Sequence, residues 1–395
     1  MEIGRDVVVL SGVRTAVGDF GGGLKDQPPS VLGAAVVKAA VARAGIEPAE
    51  VGHVVFGSVL HTDAHDLYLA RVAAVHGGLP VETPAVTLNR LCGSGLQAII
   101  SAAQLIQLGL TEVAIGGGAE SMSRAPYWLP SLRWGQRMSN TIAIDAMVAG
   151  LTDPFDDCHM GMTAEHVAKR WTISRDDQDR LALTSHQRAA RAIVEGRFTE
   201  QILPIEVATR QGTTVVDTDE HVRHDASLAG LAKLRPVFDP QGTVTAGNAA
   251  GINDGAAAVV LMERGRAEAR GLQPLGRLVA YGFAGVDPKY MGIGPVPAVR
   301  ALLERTGLRV EDLAVIELNE AFAAQAIAVM RELGLPEDRT NPNGSGIALG
   351  HPIGATGAIL TVKALYELRR VGGRYALVTM CIGGGQGIAA IFERA

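Results

Sequence analysis

Cys92 is the first residue whose type and setting indicate covalent chemistry. It lies in Asn89-Arg90-Leu91-Cys92-Gly93-Ser94-Gly95-Leu96, a turn that follows the short apolar segment Thr83–Leu88 and opens the predicted helix Leu96–Leu110. A helix N-terminus offers unpaired N–H groups and a partial positive charge, which lower the pKa of a thiol. The turn therefore predicts a reactive thiolate, while a buried structural cysteine is the alternative for this segment taken alone.

Two further segments place a histidine and a second cysteine beside glycines. His351 lies in Gly350-His351-Pro352-Ile353-Gly354-Ala355-Thr356-Gly357, a tight loop before a predicted helix. Cys381 ends a predicted strand and precedes Gly383-Gly384-Gly385, whose N–H groups are free to bind an anion. The rigid loop favours a functional histidine over a structural one, whereas a core residue is the usual interpretation of a cysteine at the end of a strand.

Asn319 lies on a third turn, Asn319-Glu320-Ala321-Phe322-Ala323, after a predicted strand. An asparagine at this point is typical of a helix N-cap, and Glu320 suits the first turn of a helix. Taken alone, this turn therefore predicts a cap and no chemistry.

The remaining chain alternates predicted strands and helices, which indicates an α/β fold with largely parallel strands. The predicted strands are Val7–Leu10, Val51–Val59, Val113–Ile115, Ala256–Met262, Leu275–Gly282, Val315–Leu318, Tyr375–Met380 and Gly387–Phe392. The other predicted helices are Val31–Ala44, Tyr68–His76, Met162–Trp171, Asp176–Glu195, Ala298–Thr306, Ala321–Leu333 and Ala355–Arg370. The helix after Cys92 carries no charge, but its glutamines argue against a membrane span, so we expect it to lie between two sheets.

The two ends of the chain resemble each other in the order of their elements. The Cys92 turn precedes an apolar helix, a strand and the predicted loop Gly116–Ser121. The His351 loop also precedes a helix, a strand and a triple-glycine loop. This repetition predicts a duplicated domain in which the two helix N-termini face each other and bring Cys92 and His351 together. Residues 122–245 lack the regular blocks and are predicted to form a cap or loop domain, with Gln211–Leu234 irregular.

Composition excludes several classes of protein. Of the 395 residues, 47% are hydrophobic and 19% are charged, which is typical of a globular protein, and the net charge of −5 leaves no basic surface for nucleic acid or an anionic membrane. The three cysteines fit neither a disulfide framework nor a metal cluster and suggest a reducing compartment. The N-terminus Met1–Asp6 does not have the pattern of a signal peptide.

Taken together, these segments resemble the thiolases, the acetyl-CoA acetyltransferases, over essentially the whole chain. The matching motifs are the Cys92 turn, Gly116–Met122, His159-Met160-Gly161, Thr243–Gly255, Asn319–Ala323, Gly350–Gly357 and Cys381–Gly387. Within the family, the chain is most similar to bacterial short-chain 3-ketothiolases that supply polyhydroxyalkanoate synthesis. The resemblance implies a thiolase-like α/β fold with two duplicated core domains in an αβαβα sandwich, residues 1–121 with 246–270 and residues 271–395, and a loop domain, 122–245.

The resemblance also implies a catalytic role for five residues. Cys92 takes the acyl group from a thioester, and His351 activates it as a base. Cys381 removes a proton from the methyl group of a second acetyl-CoA. Asn319, through a held water, and His351 stabilise the enolate oxygen, while the N–H groups of Cys92 and Gly383 form a second oxyanion hole. The implied reaction is a reversible Claisen condensation by ping-pong acyl transfer.

Further residues are implied to bind the substrate. Arg223 packs on the adenine end of coenzyme A, and Ala250 replaces a serine that would face its thioester end. Loss of one hydroxyl hydrogen bond would weaken binding by roughly 0.5–1.5 kcal/mol. The pantetheine and acyl pocket is implied to be lined by Leu151, His159, Met160, Phe238, Met291, Ala321 and Phe322. Two other departures, His166 for asparagine and Gly344-Ser345-Gly346, have no consequence that we can assign.

The same resemblance implies the surroundings in which the chain acts. It predicts a homotetramer formed through Arg124–Asn140, no metal or cofactor other than the coenzyme A thioester substrates, and no nucleic-acid or membrane partner. The C-terminus is not a peroxisomal signal, so the cytoplasm is expected. The alternatives are a degradative thiolase for longer chains, a ketoacyl synthase, in which a histidine or asparagine would replace Cys381, and a non-catalytic binding protein.

Overall fold

The computed structural model describes residues 5–210 and 212–395. Its strands are β1 (Val7–Thr15), β2 (Gly18–Asp19), β3 (His53–Gly57), β4 (Ala85–Leu88), β5 (Val113–Ser121), β6 (Tyr127–Trp128), β7 (Ile144–Asp145), β8 (Ile202–Leu203), β9 (Ile205–Thr209), β10 (Gly212–Val216), β11 (Asn253–Glu263), β12 (Gly276–Gly285), β13 (Leu313–Leu318), β14 (Tyr375–Ile382) and β15 (Gln386–Arg394). Its α-helices are α1 (Pro29–Ala44), α2 (Leu69–His76), α3 (Ser94–Gln107), α4 (Ala146–Gly150), α5 (Met160–Arg170), α6 (Arg175–Val194), α7 (Leu228–Leu231), α8 (Arg264–Ala269), α9 (Pro295–Thr306), α10 (Ala323–Leu333), α11 (Gly346–Leu349) and α12 (Thr356–Val371).

The main sheet consists of two halves with the same strand pattern. In the N-terminal half the order is β4-β3-β5-β11-β1, and in the C-terminal half it is β13-β14-β15-β12. Strand β3 is parallel to β5 as β13 is to β14, and both β5–β11 and β14–β15 are antiparallel. The halves join where β1 pairs with β12 at Val8–Arg277 and Val9–Gly276. The duplicated core predicted from the sequence is therefore confirmed, but the prediction of largely parallel strands is wrong, because each half closes with antiparallel pairs.

Helices α3 and α12 form the central layer of the sandwich. Their apolar side chains share one core cluster with residues of both sheet halves, including Val9, Val259 and Val378. Separate clusters pack the outer helices α1 and α2 on the N-terminal half and α9 and α10 on the C-terminal half. The expected burial of the uncharged helix after Cys92 is confirmed.

Glycines permit the close packing of these two central helices. A Cβ atom on Gly95 would lie 2.7 Å from the Ala358 nitrogen, and one on Gly357 would lie 2.3 Å from the Leu96 nitrogen. Real Cβ atoms do not approach backbone atoms this closely. The N-termini of α3 and α12 therefore meet directly, which is how the duplicated elements come to form one site.

The predicted loop Gly116–Ser121 is instead part of a buried strand. Strand β5 continues to Ser121 and pairs with β11 along its whole length. A Cβ atom on Gly116 would lie 2.5 Å from the Ile99 Cα, so the glycine allows α3 to lie against the strand. The glycine-rich composition alone indicated a loop. In the structure, Gly116 is instead explained by the close approach of helix α3 to the strand.

Residues 122–245 contain helices α4–α7 and three short strand pairings outside the core pattern of the two halves. The segment 211–234, predicted to be irregular, contributes β10, which forms a hairpin with β9, and helix α7. Gln211 and Met1–Gly4 lie outside the described residues. Within the described part of the chain, no helix has the length and apolar character required to cross a membrane.

Candidate active site

All the predicted site residues except Asn319 line one cavity of about 500 Å³. Cys92, His351, Cys381 and Gly383 line it together with Leu151, His159, Met160, Arg223, Phe238, Ala250, Met291, Ala321 and Phe322. Asn319 lies directly behind this wall, with its amide nitrogen 3.4–3.5 Å from the two ring nitrogens of His351. Segments that are more than 250 residues apart in sequence therefore form one chemical environment.

The turn that carries Cys92 is held by contacts within its own eight residues. The Asn89 side chain accepts a hydrogen bond from the Leu91 N–H at 2.8 Å. The Ser94 hydroxyl accepts from the Arg90 N–H at 2.8 Å and donates to the Leu91 carbonyl at 2.6 Å. These bonds hold Leu91 at a φ of 45°, in the left-handed region that branched side chains rarely adopt. The constrained residue directly precedes the thiol and lies three residues before the start of α3.

The predicted low pKa of Cys92 is wrong for the resting protein. Burial raises the pKa of Cys92 to about 11, and the negative charge of Glu120 adds to the increase. The N–H of Gly383 donates to the Cys92 sulfur and opposes this effect, but it does not outweigh the burial. The resting group is therefore a neutral thiol, and a neighbouring base must take its proton before it can attack.

His351 has the protonation state of such a base. Its side chain is buried, and burial lowers its pKa to about 4. The Thr356 hydroxyl donates its only proton to the Pro352 carbonyl at 2.9 Å, so its oxygen accepts from Nδ1 of His351 at 2.7 Å. This contact places the ring proton on Nδ1 and leaves the lone pair of Nε2, which lies 3.4 Å from the Asn319 amide nitrogen, to accept a proton.

The His351 loop depends on contacts with the N-terminal half. The side-chain oxygen of Asn253, the first residue of β11, accepts a hydrogen bond from the His351 N–H at 2.9 Å. Glu120 on β5 accepts from the N–H groups of Gly354 at 2.8 Å, Leu60 at 3.0 Å and Val59 at 3.1 Å. Sequence analysis included both residues in motifs but gave neither a role, because only the fold brings them to this loop.

Cys381 and Gly383 occupy the end of β14 and the turn after it. Cys381 is fully buried, and burial raises its pKa, with a further increase from the Cys92 sulfur. A Cβ atom on Gly383 would lie 2.8 Å from the terminal methyl group of Met160, so the turn packs against this flexible side chain. The two sulfurs and the Gly383 N–H therefore share the deep end of the cavity.

The prediction that Asn319 caps a helix is wrong. Helix α10 begins at Ala323, and its N-cap position is Phe322. Asn319 is instead buried beside His351, and its N–H donates to the Thr379 carbonyl at 3.0 Å. Glu320 is also buried, where it accepts hydrogen bonds from Ser185 and Asn341 and does not face a helix terminus.

The outer part of the cavity is formed mainly by residues 122–245. His159 caps α5 by accepting the Gly161 N–H at 3.1 Å, and its ring stacks on Phe238 with the centroids 4.6 Å apart. Arg223 is exposed at the mouth, and its N–H donates to His186 at 3.2 Å. A channel with an apolar wall and a cationic mouth suits a long ligand with an anionic end.

The mouth also contains a histidine–aspartate contact that sequence analysis missed. Nδ1 of His221 lies 2.8 Å from an Asp19 carboxylate oxygen, and both residues line the cavity. Ala250, the noted departure from the family pattern, lies on the same wall and donates its N–H to the Ala321 carbonyl at 2.9 Å. His166 lies outside the cavity wall and contacts Tyr290 edge to face.

Comparisons with known proteins identify the family. Residues 7–265 match the family described as Thiolase, N-terminal domain, and residues 272–394 match Thiolase, C-terminal domain. The chain belongs to the thiolase family.

Individual thiolases are similar over the full length. The chain is 66% identical to beta-ketothiolase BktB of Cupriavidus necator, over 99% of each chain. Its structure matches the acetyl-CoA acetyltransferase of Bacillus anthracis with a TM-score of 0.98 and 45% identity, over 100% of both chains. It also matches human mitochondrial 3-ketoacyl-CoA thiolase in complex with CoA, with a TM-score of 0.96 and 44% identity, over 99% of this chain and 98% of that chain.

Proposed function

We propose that this protein catalyses the reversible Claisen condensation of two acetyl-CoA molecules, or of acetyl-CoA and a short acyl-CoA, to a 3-ketoacyl-CoA and free coenzyme A. The observation that carries the proposal is the presence of Cys92, His351 and Cys381 on the wall of one cavity. The similarity to a beta-ketothiolase and an acetyl-CoA acetyltransferase supports it. Neither the longer-chain degradative thiolase nor the ketoacyl synthase alternative is favoured.

In the first half-reaction, Cys92 attacks the thioester carbonyl carbon. Nε2 of His351 accepts the thiol proton and returns it to the departing sulfur of coenzyme A, so the products are the acetyl-Cys92 thioester and free coenzyme A. The N–H groups of Cys92 and Gly383 stabilise the negative charge on the carbonyl oxygen. The contact of the Gly383 N–H with the Cys92 sulfur supports this role.

In the second half-reaction, Nε2 of His351 takes the thiol proton of Cys381, and the resulting thiolate removes a methyl proton from the second acetyl-CoA. The protonated Nε2 of His351 and a water held by Asn319 donate hydrogen bonds to the enolate oxygen. The carbanion attacks the acetyl-Cys92 carbonyl, a C–C bond forms, the C–S bond to Cys92 breaks, and the departing Cys92 sulfur takes the proton from Nε2 of His351. Because burial raises the pKa of Cys381, its thiolate is a strong base once formed, which suits removal of a weakly acidic carbon proton.

The loop domain, residues 122–245, is proposed to hold coenzyme A along the outer cavity. Arg223 lies at the mouth and contacts the adenine end, while Leu151, His159, Met160, Phe238, Ala250, Met291, Ala321 and Phe322 contact the pantetheine and acyl parts. A relative solved in complex with CoA supports this placement. The domain boundaries 1–121 with 246–270, 122–245 and 271–395 are part of the same proposal.

The assembly proposed is a homotetramer that uses Arg124–Asn140. Trp134 is 92% exposed and Met138 is 86% exposed in this segment, and Trp128 is half-exposed. Large apolar side chains exposed in one loop indicate a protein interface. The cytoplasm remains the proposed compartment, and the coenzyme A thioesters are the only small molecules that the proposal requires.

The direct test is cleavage of acetoacetyl-CoA in the presence of free coenzyme A. The protein should consume the 3-ketoacyl thioester and release two acetyl-CoA, which separation of the products by chromatography would detect. Cys92→Ser should reduce this activity to background, with Cys158→Ser as the matched control outside the cavity. An active Cys92→Ser variant, or an inactive native protein, would contradict the proposal.

A further inference from the structure

A second large cavity lies away from the active site, between α6, segment 337–342 and the end of α12. Its volume is about 680 Å³, and we call it the arginine groove. Five arginines line it, together with two carboxylates and several apolar side chains; the arginines are Arg188, Arg191, Arg197, Arg339 and Arg370. None of the proposed catalytic or coenzyme A-binding residues lines this groove.

The positive charge of the groove is only partly neutralised. Glu367 pairs with Arg370 at 2.6 Å, and Arg197 pairs with Glu195 at 2.5 Å. The second lining carboxylate, Asp338, forms no ion pair within the described part of the chain.

The positive charges of three arginines have no close carboxylate to compensate them. Arg188 has its nearest carboxylate oxygen 3.8 Å away on Glu337, whose side chain is 70% exposed and therefore well solvated. Arg339 pairs with no carboxylate among the described residues, and the Arg191 guanidinium has neither a hydrogen bond nor an ion pair there. Like charges gathered in one groove repel each other and attract an anion.

Neutral contacts hold several of these guanidinium groups in place. Arg188 donates to the Thr340 carbonyl at 2.8 Å and to the Glu337 carbonyl at 3.1 Å. Arg339 donates to the Leu313 carbonyl at 2.9 Å and to the Glu311 carbonyl at 3.0 Å. Carbonyl oxygens fix a guanidinium without cancelling its charge, so these side chains are positioned for a ligand before it binds.

We propose that the arginine groove binds a small anion that carries a diphosphate group. Guanidinium groups match phosphate oxygens with paired N–H donors, and several fixed arginines favour two linked phosphates over one. The apolar wall, which includes Val315, Pro342 and Val371, contacts the remainder of a larger ligand such as a nucleoside diphosphate. The site is separate from the coenzyme A channel and does not depend on the proposed reaction.

Calorimetric titration of the full-length protein with inorganic pyrophosphate tests this proposal. In a phosphate-free buffer with salt at about 0.1 M, saturable binding to one site per chain is expected. The double variant Arg191→Gln/Arg339→Gln should weaken it at least about tenfold, while Arg264→Gln, which removes an equal kind of charge on α8, should change it less than about twofold. Thiolase activity and thermal unfolding of the double variant establish that it is folded.

Titrations with other ligands and with a variant of the other cavity identify the ligand and its binding site. Adenosine diphosphate should bind at the same site, in competition with pyrophosphate, and orthophosphate should bind more weakly. Arg223→Gln should leave pyrophosphate binding unchanged, because Arg223 lies at the mouth of the other cavity. The proposal is overturned if no saturable binding occurs, if the double variant binds as well as the native protein, or if Arg223→Gln removes the binding.

Discussion

Helices α3 and α12 begin at corresponding points of the two sheet halves, but the turns before them are held in different ways. The Cys92 turn is fixed by Asn89 and Ser94, which belong to the turn itself. The His351 loop is fixed by Asn253 and Glu120, which belong to the opposite half. The nucleophile's turn is therefore shaped mainly by local hydrogen bonds, with a weaker contact of 3.4 Å from Arg90 to Gln386 of the other half, whereas the base relies on stronger bonds from the opposite half.

The turns after the next strands differ as well. In the N-terminal half, Gly116–Gly118 lie inside β5, where Gly116 allows α3 to pack closely and Gly118 allows the Gly354–Ala355 backbone to do so. In the C-terminal half, Gly383–Gly385 form a turn beside Cys92, with positive φ angles at Gly384 and Gly385. Similar glycine runs thus serve packing in one half and present N–H groups to the site in the other. We infer that the duplicated fold was divided into a half that carries the acyl group and a half that moves protons.

Substitution of Gly357 should break the contact between the halves and have the largest effect on stability. The added Cβ atom of Gly357→Ala would lie 2.3 Å from the Leu96 backbone nitrogen. We expect the free energy of unfolding to fall by about 2–3 kcal/mol, although alanine usually favours a helix over glycine by about 1 kcal/mol. Chemical denaturation measures this loss.

The matched control for that variant is Gly282→Ala on β12. Its nearest new neighbour would be the Ala298 carbonyl oxygen at 3.5 Å, an ordinary van der Waals contact. Its stability should stay within about 1 kcal/mol of the native value. Equal stabilities of the two variants would show that the close approach of α3 and α12 does not constrain the fold.

Replacement of Thr356 should make His351 a less effective base without disturbing Cys92. Thr356→Val removes the acceptor that keeps the proton of His351 on Nδ1. We expect the rate of Cys92 acetylation by acetyl-CoA to fall about tenfold, as for loss of one buried hydrogen bond of about 1.4 kcal/mol. Rapid-mixing measurement of coenzyme A release gives this rate.

Thr361→Val is the control within the same helix. The Thr361 hydroxyl donates to the carbonyl four residues earlier, as that of Thr356 does, but makes no contact with His351. Its acetylation rate should equal the native rate. If both variants slow the reaction equally, the effect comes from the helix and not from the tautomer of His351.

The pH dependence of acetylation sharpens the contrast between base and nucleophile. Burial lowers the pKa of His351 to about 4 and raises the pKa of Cys92 to about 11, so both groups are neutral between these values. The rate should therefore fall as the pH drops through about 4, where His351 gains a proton, and a separate change is expected near pH 8 from Glu120, whose pKa burial raises to about 8. An apparent pKa near 6.5 for the acid limb would contradict this environment.

The lowered pKa of His351 also makes the folded protein less stable at acid pH. Unfolded His351 has the ordinary pKa of 6.5 and binds a proton more readily than the folded residue, so acid favours the unfolded state. The contribution of His351 to stability is lost progressively as the pH falls from about 6.5 through 4. Burial also lowers the pKa of His186 to about 4, so the His351→Asn variant is needed to isolate the difference.

The smallest predicted effect concerns Ala250 on the wall of the active-site cavity. Ala250→Ser supplies a hydroxyl near the proposed thioester position and should tighten coenzyme A binding by roughly 0.5–1.5 kcal/mol. Calorimetric titration with coenzyme A measures the change, and Ala246→Ser, on the same cavity wall, is the control. Unchanged binding in Ala250→Ser would show that the departure from the family pattern has no effect on affinity.

Local sequence was enough to predict Cys92, His351 and Cys381 as candidates, because each lies on a glycine-rich turn beside a strand or helix. The family resemblance predicted the fold and the layered core. Local sequence did not reveal Glu120 and Asn253 as supports of the His351 loop, because their partners in that loop are 234 and 98 residues away. The mixed sheet was missed for a similar reason, since strand alternation does not specify which strands pair. The prediction of a low pKa for Cys92 was wrong because the increase caused by burial outweighs the decrease caused by the positive end of the helix.

We propose that the N-terminal half carries the acyl group on Cys92 while the C-terminal half supplies the proton transfer through Cys381. Pre-steady-state measurement with the Cys381→Ser variant tests it most directly, by following coenzyme A release from acetyl-CoA and formation of acetoacetyl-CoA in the same sample. We expect a burst of one coenzyme A per chain at close to the native rate, followed by condensation slowed at least about a hundredfold. Loss of the burst, or equal slowing of both steps, would contradict the division between the two halves.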